Sequence, residues 1–287
     1  LYNNIALTIK LGYNTLMGIK IGIDAGSTST KLAALKDNKI LDLLKVKSVP
    51  TDGDIYDIFN SFMEKNEIKS SDIESIQLTG VGASGFDSKI MNINTKYIHE
   101  FDADSNGARY FAPNLDDFLL ISMGTGTTYI HVKDKIPTHV GGLGLGGGTL
   151  VGLSKYILGT VYYNEIYKLA EGGTHGNVNI MLSDVATNRI EGLDMDLTVS
   201  NFGKIYSEAS KSDLASGLIN LVLENIIQTG CLMANNMGVS NIVMIGGLSG
   251  AKELAPTLDA FRKLYPNTNF VSTDNGKYIT AIGAALS

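Results

Sequence analysis

Asp24 ends an apolar run and is followed within seven residues by a glycine, four small hydroxyls and a lysine: Ile23-Asp24-Ala25-Gly26-Ser27-Thr28-Ser29-Thr30-Lys31. These are the groups that hold a nucleotide's phosphates. A strand-end carboxylate binds Mg2+ directly or through water, turn amides and hydroxyls donate to phosphate oxygens, and an ammonium offsets their charge. A plain polar hairpin turn is the alternative, but it needs neither the carboxylate nor so many donors. Gly124-Thr125-Gly126-Thr127 is a second candidate. It is weak alone and gains weight beside the first, because a triphosphate with its Mg2+ requires donors from more than one side.

The densest glycine stretch, Val140 to Thr149, leads into the apolar helical pattern LVGLSKYIL. Glycines permit close backbone approach, and the helix start near Gly147, Gly148 and Thr149 would offer unpaired N–H groups and a positive dipole end to an anion. The alternative is a flexible loop. Gly142, Gly144 and Gly147 also satisfy G-x-G-x-x-G, but the preceding Pro137-Thr138-His139-Val140 is not an apolar strand, so a dinucleotide-binding unit is not indicated. Gly276-Lys277 is followed by Tyr278, and no Walker-type P-loop is present.

Between the two phosphate candidates lies His99-Glu100-Phe101-Asp102-Ala103-Asp104. An enzyme phosphorylating an alcohol needs a base for the hydroxyl proton, and Glu100, at a strand end, is the natural choice. Spacing alone equally allows a solvated helix start with Asp102 or Asp104 as cap. The four histidines show no metal-ligand spacing. His139 stands apart because it abuts the glycine-rich stretch, where it could touch a substrate. Cys231, the single cysteine, sits in an apolar helical pattern with Ile226, Ile227 and Leu232, which reads as core packing. A lone thiol forms no internal disulfide or multi-thiolate cluster and suits a reducing cytoplasm.

The elements that must position these groups alternate between strands and helices. Strands are expected at Lys20 to Asp24, Thr30 to Leu35, Ile40 to Val49, Ser75 to Thr79, Lys96 to Ile98, Phe118 to Ser122, Tyr129 to Val132 and Asn241 to Ile245. A helix capped within Thr51 to Asp54 would bury Ile55, Ile58, Phe59 and Phe62. After a long loop beyond Val132, further helices are expected from Thr149, Tyr162, Leu214 (to Met237), Ala251 and Tyr278. The pattern predicts an α/β protein with its sites at the carboxyl ends of strands. IGIDAGSTSTKLAAL and LLISMGTGTTYIHV share one grammar of strand, glycine-hydroxyl turn and return strand, consistent with a duplicated unit or with two unrelated hairpins. The 287 residues, 44% of them hydrophobic, suffice for two packed lobes, and a net charge of -6 argues against nucleic acid or an anionic membrane as partner. Leu1 to Met17 contains no apolar stretch long enough for a membrane span and reads as an extension upstream of a start at Met17.

The order GIDAGSTSTK, HEFDADSNG, SMGTGTTY, HVGGLGLGGGTLVGL, LTVSNFG, IVMIGG and NGKYITAIGAAL resembles that of type II pantothenate kinases, across nearly all of Lys20 to Ser287. The resemblance implies a duplicated ribonuclease H-like, actin-like fold with a nucleotide cleft between lobes 18–115 and 116–287, the second carrying dimerisation helices. It implies a homodimer that phosphorylates pantothenate with ATP and Mg2+. Carried over by position, Glu100 is the general base, Asp24 the metal-side carboxylate, and Gly26, Ser27, Thr28, Ser29, Thr30 and Lys31 the phosphate loop. Thr125 is a binding position in the second hairpin, Gly147, Gly148, Thr149, Leu150 and Val151 a nucleotide-contacting helix start, Tyr163 an adenine-side contact, and Gly247 lies near a further nucleotide contact. His139 stands where relatives place an Arg that holds the pantothenate side, so pantetheine or a pantothenamide becomes an alternative acceptor. Other readings are an N-acetylhexosamine kinase, an ATPase that activates a 2-hydroxyacyl-CoA dehydratase or benzoyl-CoA reductase through an iron–sulfur cluster, and a non-catalytic nucleotide sensor. The single cysteine disfavours the ATPase, and the presence of Asp24, Lys31 and Glu100 disfavours the sensor.

Overall fold

The computed structural model describes residues 18–47, 52–83, 89–90, 92–191, 193–205 and 208–287. The expectations for Leu1 to Met17, Val49 and Thr51 fall outside them, as does the side chain of Ile55. Apolar strand β1 (Ile19–Ala25) turns into β2 (Ser29–Lys36), which turns again into β3 (Lys39–Lys47). The second turn has Asp37 and Asn38 at φ 52 and 57, the left-handed pair that a two-residue hairpin requires. Helix α1 (Asp52–Lys65) crosses to β4 (Ile73–Thr79), which joins β1 in parallel; β5 (Lys89–Ile90) and β6 (Ile93–Tyr97) complete a sheet ordered β3-β2-β1-β4-β6-β5. Phe59 and Phe62 of α1 are fully buried against Ile21, Ile23 and Leu32, each contributing about 1.5–3 kcal/mol.

After α2 (Glu100–Phe111) the same plan returns: β7 (Asp117–Met123), β8 (Thr127–Lys133) and β9 (Ile136–Leu143) form the antiparallel meander. Helices α3 (Gly147–Ile157) and α4 (Tyr163–Ala170) follow, then the small elements β10 (Ile180–Met181), α5 (Leu182–Val185) and β11 (Thr198–Ser200), and the long α6 (Lys211–Met237). Strand β12 (Asn241–Gly246), α7 (Leu254–Leu264), β13 (Asn269–Val271) and α8 (Ile279–Ala285) close the chain, with β12 parallel to both β7 and β13 in the order β13-β12-β7-β8-β9. The two sheets therefore share strand order and sense, which decides for a duplicated unit over two unrelated hairpins.

The helices between the lobes exchange sides. Ala108 of α2 packs on the second sheet with Phe118, Leu120 and Val243, whereas Ala281, Ile282 and Ala285 of α8 return to the first sheet against Ala33 and Leu35. Where α2 and α8 cross, a Cβ at Gly283 would overlap the carbonyl oxygen of Ala103, and one at Gly107 would overlap that of Ile279. Helix α6 is long and apolar enough to cross a bilayer by length and composition, yet Leu218, Val222, Leu223 and Ile226 bury its apolar side in the second-lobe core.

Three expectations change. The supposed loop beyond Val132 contains β9, so Gly141 to Leu143 are paired strand rather than free loop, with Val140 at a bulge. An edge strand rich in glycine and exposed residues lacks the alternation that reveals buried strands; the Asp134-Lys135 turn, at φ 50 and 71, was its one local signal. Strand β13 is short and was not expected. The cap of α2 is His99, whose Nδ1 accepts from the Phe101 N–H at 3.3 Å, and Asp102 and Asp104 lie inside the helix.

Candidate active site

The hairpin register places Lys31 directly opposite Asp24, and Lys31 Nζ donates to Asp24 Oδ2 at 2.8 Å. Asp24 is almost buried, so this pair is desolvated and geometrically held. Gly80, just past β4, closes over it at φ +92; a Cβ there would stand 2.8 Å from Asp24 Oδ1. Gly246, at φ +96 at the end of β12, stands in the matching position against Met123 of the second lobe. Within the predicted loop, Gly26 N–H donates to Ser29 O at 3.2 Å, and Ser29 and Thr30 are buried in β2. Ser27 and Thr28 are the exposed hydroxyls.

The second turn meets the first. Ser27 Oγ and Thr125 Oγ1 lie 3.0 Å apart across 98 residues of chain. The glycine-rich stretch is fastened to the same turn, since Gly147 N–H donates to Gly124 O and Gly148 N–H to Thr125 O, both at 2.8 Å. Thr127 Oγ1 and Thr149 Oγ1 bind the carbonyls of Leu145 and Gly144. The first two amides of α3 are thus spent on the scaffold, which differs from the expectation of free anion donors there. Leu150 is buried in the core and Val151 packs against it. The hydroxyl of Tyr163 lies over Gly147, close enough that a Cβ would overlap it. Gly247 is exposed beside the end of β7.

Glu100 opens α2 and is half-buried. Burial, then the Asp24 charge, raise its carboxyl above the ordinary range, while Lys31 and His99 pull it down. All four groups therefore share one electrostatic neighbourhood. Phe101 stacks on His139, ring centres 5.3 Å apart and nearly parallel, with His99 edge-on at 4.9 Å. His139 is exposed on β9, next to the helix that carries Glu100.

Sequence reasoning missed Lys45 here and misplaced Asp104. Lys45, exposed on β3, faces Lys31 on β2, and partial desolvation, then the charges of Lys31 and Lys277, hold its ammonium below its usual value. Like charges opposed across a hairpin destabilise it unless an anion intervenes, so the strand spacing of Lys31 and Lys45 was an available signal. Asp104, considered as a cap, is instead buried one turn beyond Glu100, and its carboxyl is pushed up to about 7 by burial, with Glu100 and Asp24 adding to the rise.

Asp24 fits a Mg2+ site, because that ion is commonly held by one or two carboxylates with phosphate and water oxygens completing its shell. Among the described residues no cluster of three or more His, Cys, Asp or Glu could enclose an ion. Cys231 is buried in α6 and its thiol is pushed up to about 12, which removes it from thiolate chemistry. A cavity of about 600 Å³ lies elsewhere in the second lobe, between α6, α7 and the end of α4, lined among others by Glu171, Asn220, Glu224 and Phe261, and shares no residue with this site.

A family described as Fumble matches residues 112–287. The type II pantothenate kinase of Bacillus cereus (strain AH820) is 30% identical over 276 residues, covering 93% of this chain and 96% of that protein. The chain belongs to the type II pantothenate kinase family. A relative of the same name from Oceanobacillus iheyensis is 28% identical over 93% of this chain and 99% of its own length. The BadF/BadG/BcrA/BcrD ATPase family matches residues 21–154. Among solved structures, the activator of the 2-hydroxyisocaproyl-CoA dehydratase from Clostridium difficile superposes with a TM-score of 0.63 at 19% identity, covering 93% of each chain. A ROK family glucokinase from Streptomyces griseus gives 0.58 at 16%, over 93% of this chain and 98% of that one. These two likenesses show that the chain has the two-lobed fold of those proteins.

Proposed function

We propose that this chain transfers the γ-phosphoryl group of ATP to the primary hydroxyl of pantothenate, yielding 4'-phosphopantothenate, the first step of coenzyme A biosynthesis. Family membership supports the reaction and the acceptor. The observation that carries it is the meeting of Ser27 and Thr125 at 3.0 Å, which joins the turns of both lobes beside Asp24, Lys31 and Glu100.

In this mechanism Ser27, Thr28 and Thr125 donate to phosphate oxygens, and Lys31, Lys45 and Lys277 balance their charge. Asp24 would hold Mg2+, which when bound neutralises charge on the phosphates. Tyr163 and Gly247 flank the nucleoside end. Glu100 orients the acceptor hydroxyl and takes its proton as the oxygen attacks in line. Its raised proton affinity makes it a stronger base than an exposed carboxylate. His139, stacked on Phe101, forms the acceptor side; it presents an aromatic face rather than a fixed guanidinium, which favours pantetheine as a second acceptor. The exposed Tyr156, Val161 and Tyr162 support a homodimer, to be read by light scattering, and the lone thiol suits a cytoplasmic enzyme.

A coupled assay with pantothenate, pantetheine and N-acetylglucosamine tests the acceptor; turnover with the sugar alone would refute the proposal. E100Q should retain ATP affinity and lose turnover by about 10²- to 10⁴-fold, the usual contribution of a general base. Near-normal kcat would remove Glu100 from that role.

A further inference from the structure

Asp104 has no part in the mechanism above, yet it lies beneath it. It follows Glu100 by four residues on α2, so the two carboxyls share one helix face about one turn apart. Its side chain is 1% exposed, too buried to touch a substrate. Thr280 Oγ1 of α8 donates to Asp104 Oδ1 at 2.6 Å. The side chain of Ser122, near the end of β7 and directly before the Met123-Gly124-Thr125 turn, lies beside the same carboxyl and favours its charged form.

Ser122 has a telling place in the duplicated plan. It is the penultimate residue of β7, as Asp24 is of β1. The second lobe therefore carries a hydroxyl where the first carries its phosphate-side carboxylate, and Asp104 lies beside that hydroxyl on the neighbouring helix. The crossing of α2 and α8 is already closed by Ala103, Gly107 and Gly283, so apolar packing alone would join the helices there. Burying a carboxyl at the same crossing is costly. What Asp104 adds is a directional hydrogen bond from Thr280 of α8, made beside the end of β7.

We propose that Asp104 is a positioning residue: through Thr280 it fastens the helix bearing Glu100 to α8 of the first lobe, beside Ser122 at the end of β7, so that the base keeps its geometry against the second phosphate turn. The proposal rests on Glu100 being the base. Asp104 forms and breaks no bond in the reaction.

The test compares D104A, D104N and T280V in the full chain, with kcat and KM for ATP and acceptor measured beside thermal melting. D104A should lose kcat by about tenfold to a hundredfold with KM for ATP little changed, since a misplacement of about 1 Å costs on the order of 100-fold. D104N keeps an acceptor for Thr280 and should recover kcat to within about threefold of wild type. T280V removes one hydroxyl at nearly constant volume and should lose part of kcat even if D104A fails to fold. D104A/T280V should be no slower than D104A, as expected for two ends of one interaction. Unchanged kcat in folded D104A or in T280V, additive losses, or D104N as slow as D104A would overturn the proposal. Normal turnover in E100Q would instead overturn the assignment of the base, whereas a slow E100Q beside normal D104A and T280V would overturn the positioning role alone.

Discussion

Replacing Asp104 by Asn should change how stability depends on pH. The carboxyl rises from 3.8 to about 7 because burial penalises its charged form. The folded protein therefore holds this proton more tightly than the unfolded chain. Between those two values the folded state binds more protons, so unfolding free energy falls as pH rises. This contribution is whole below pH 3.8 and lost once pH exceeds about 7. One pKa unit is worth about 1.4 kcal/mol, so the full rise corresponds to about 4 kcal/mol. Relaxation around a buried charge reduces what is measured to on the order of 2–4 kcal/mol. The neutral amide of D104N would carry no such penalty. Wild type has already lost part of this contribution at pH 5, so urea unfolding of wild type and D104N at pH 5 and pH 8 should show the variant gaining about 1–3 kcal/mol on wild type at the higher pH, whatever its offset at the lower. A difference independent of pH would mean that Asp104 is ionised and solvated in the folded protein, and the reasoning would fail.

Other outcomes follow from the same geometry. The acidic limb of kcat/KM for the acceptor should lie above the ordinary carboxylate range, because burial and Asp24 raise Glu100 and activity requires it deprotonated; a limb at or below pH 4.5 would contradict this. K45A should raise KM for ATP by about tenfold, the loss of about 1.4 kcal/mol from one charge-assisted contact, with kcat little altered; an unchanged KM would place Lys45 outside the phosphate site. G283V should destabilise by about 3 kcal/mol, since its Cβ would overlap the Ala103 carbonyl at the crossing of α2 and α8, and a melting temperature equal to wild type would show that the helices can part there.

Much of the site was legible in the chain. Asp24, Ser27, Lys31, Thr125 and Glu100 stand where strand ends and glycine turns place reactive groups; local chemistry offered them as candidates, and only the family resemblance preferred Glu100 as base over a solvated helix start. The apolar strands and the long α6 were equally plain, because buried elements carry strong hydrophobic patterns. Strand β9 was not, since an edge strand with glycines and a proline pairs through its backbone and leaves almost no side-chain pattern. The amides of Gly147 and Gly148 looked free in the sequence, and only the folded turn at Gly124 and Thr125 shows them occupied.

What the amino-acid order alone determined was the kind of chemistry, the alternation of strands and helices, and the residues able to act. Local patterns encode those, because strand, turn and cap preferences act over a few residues. Tertiary structure decided which of them meet: Ser27 with Thr125 across 98 positions and Asp104 with Thr280 across 176. It also decided that one carboxylate of a run of three stands half open as Glu100 while another is shut away as Asp104. Burial and proton affinity are set by what packs around a group, and here that packing comes from α8, the last helix of the chain, which folds back onto the first lobe.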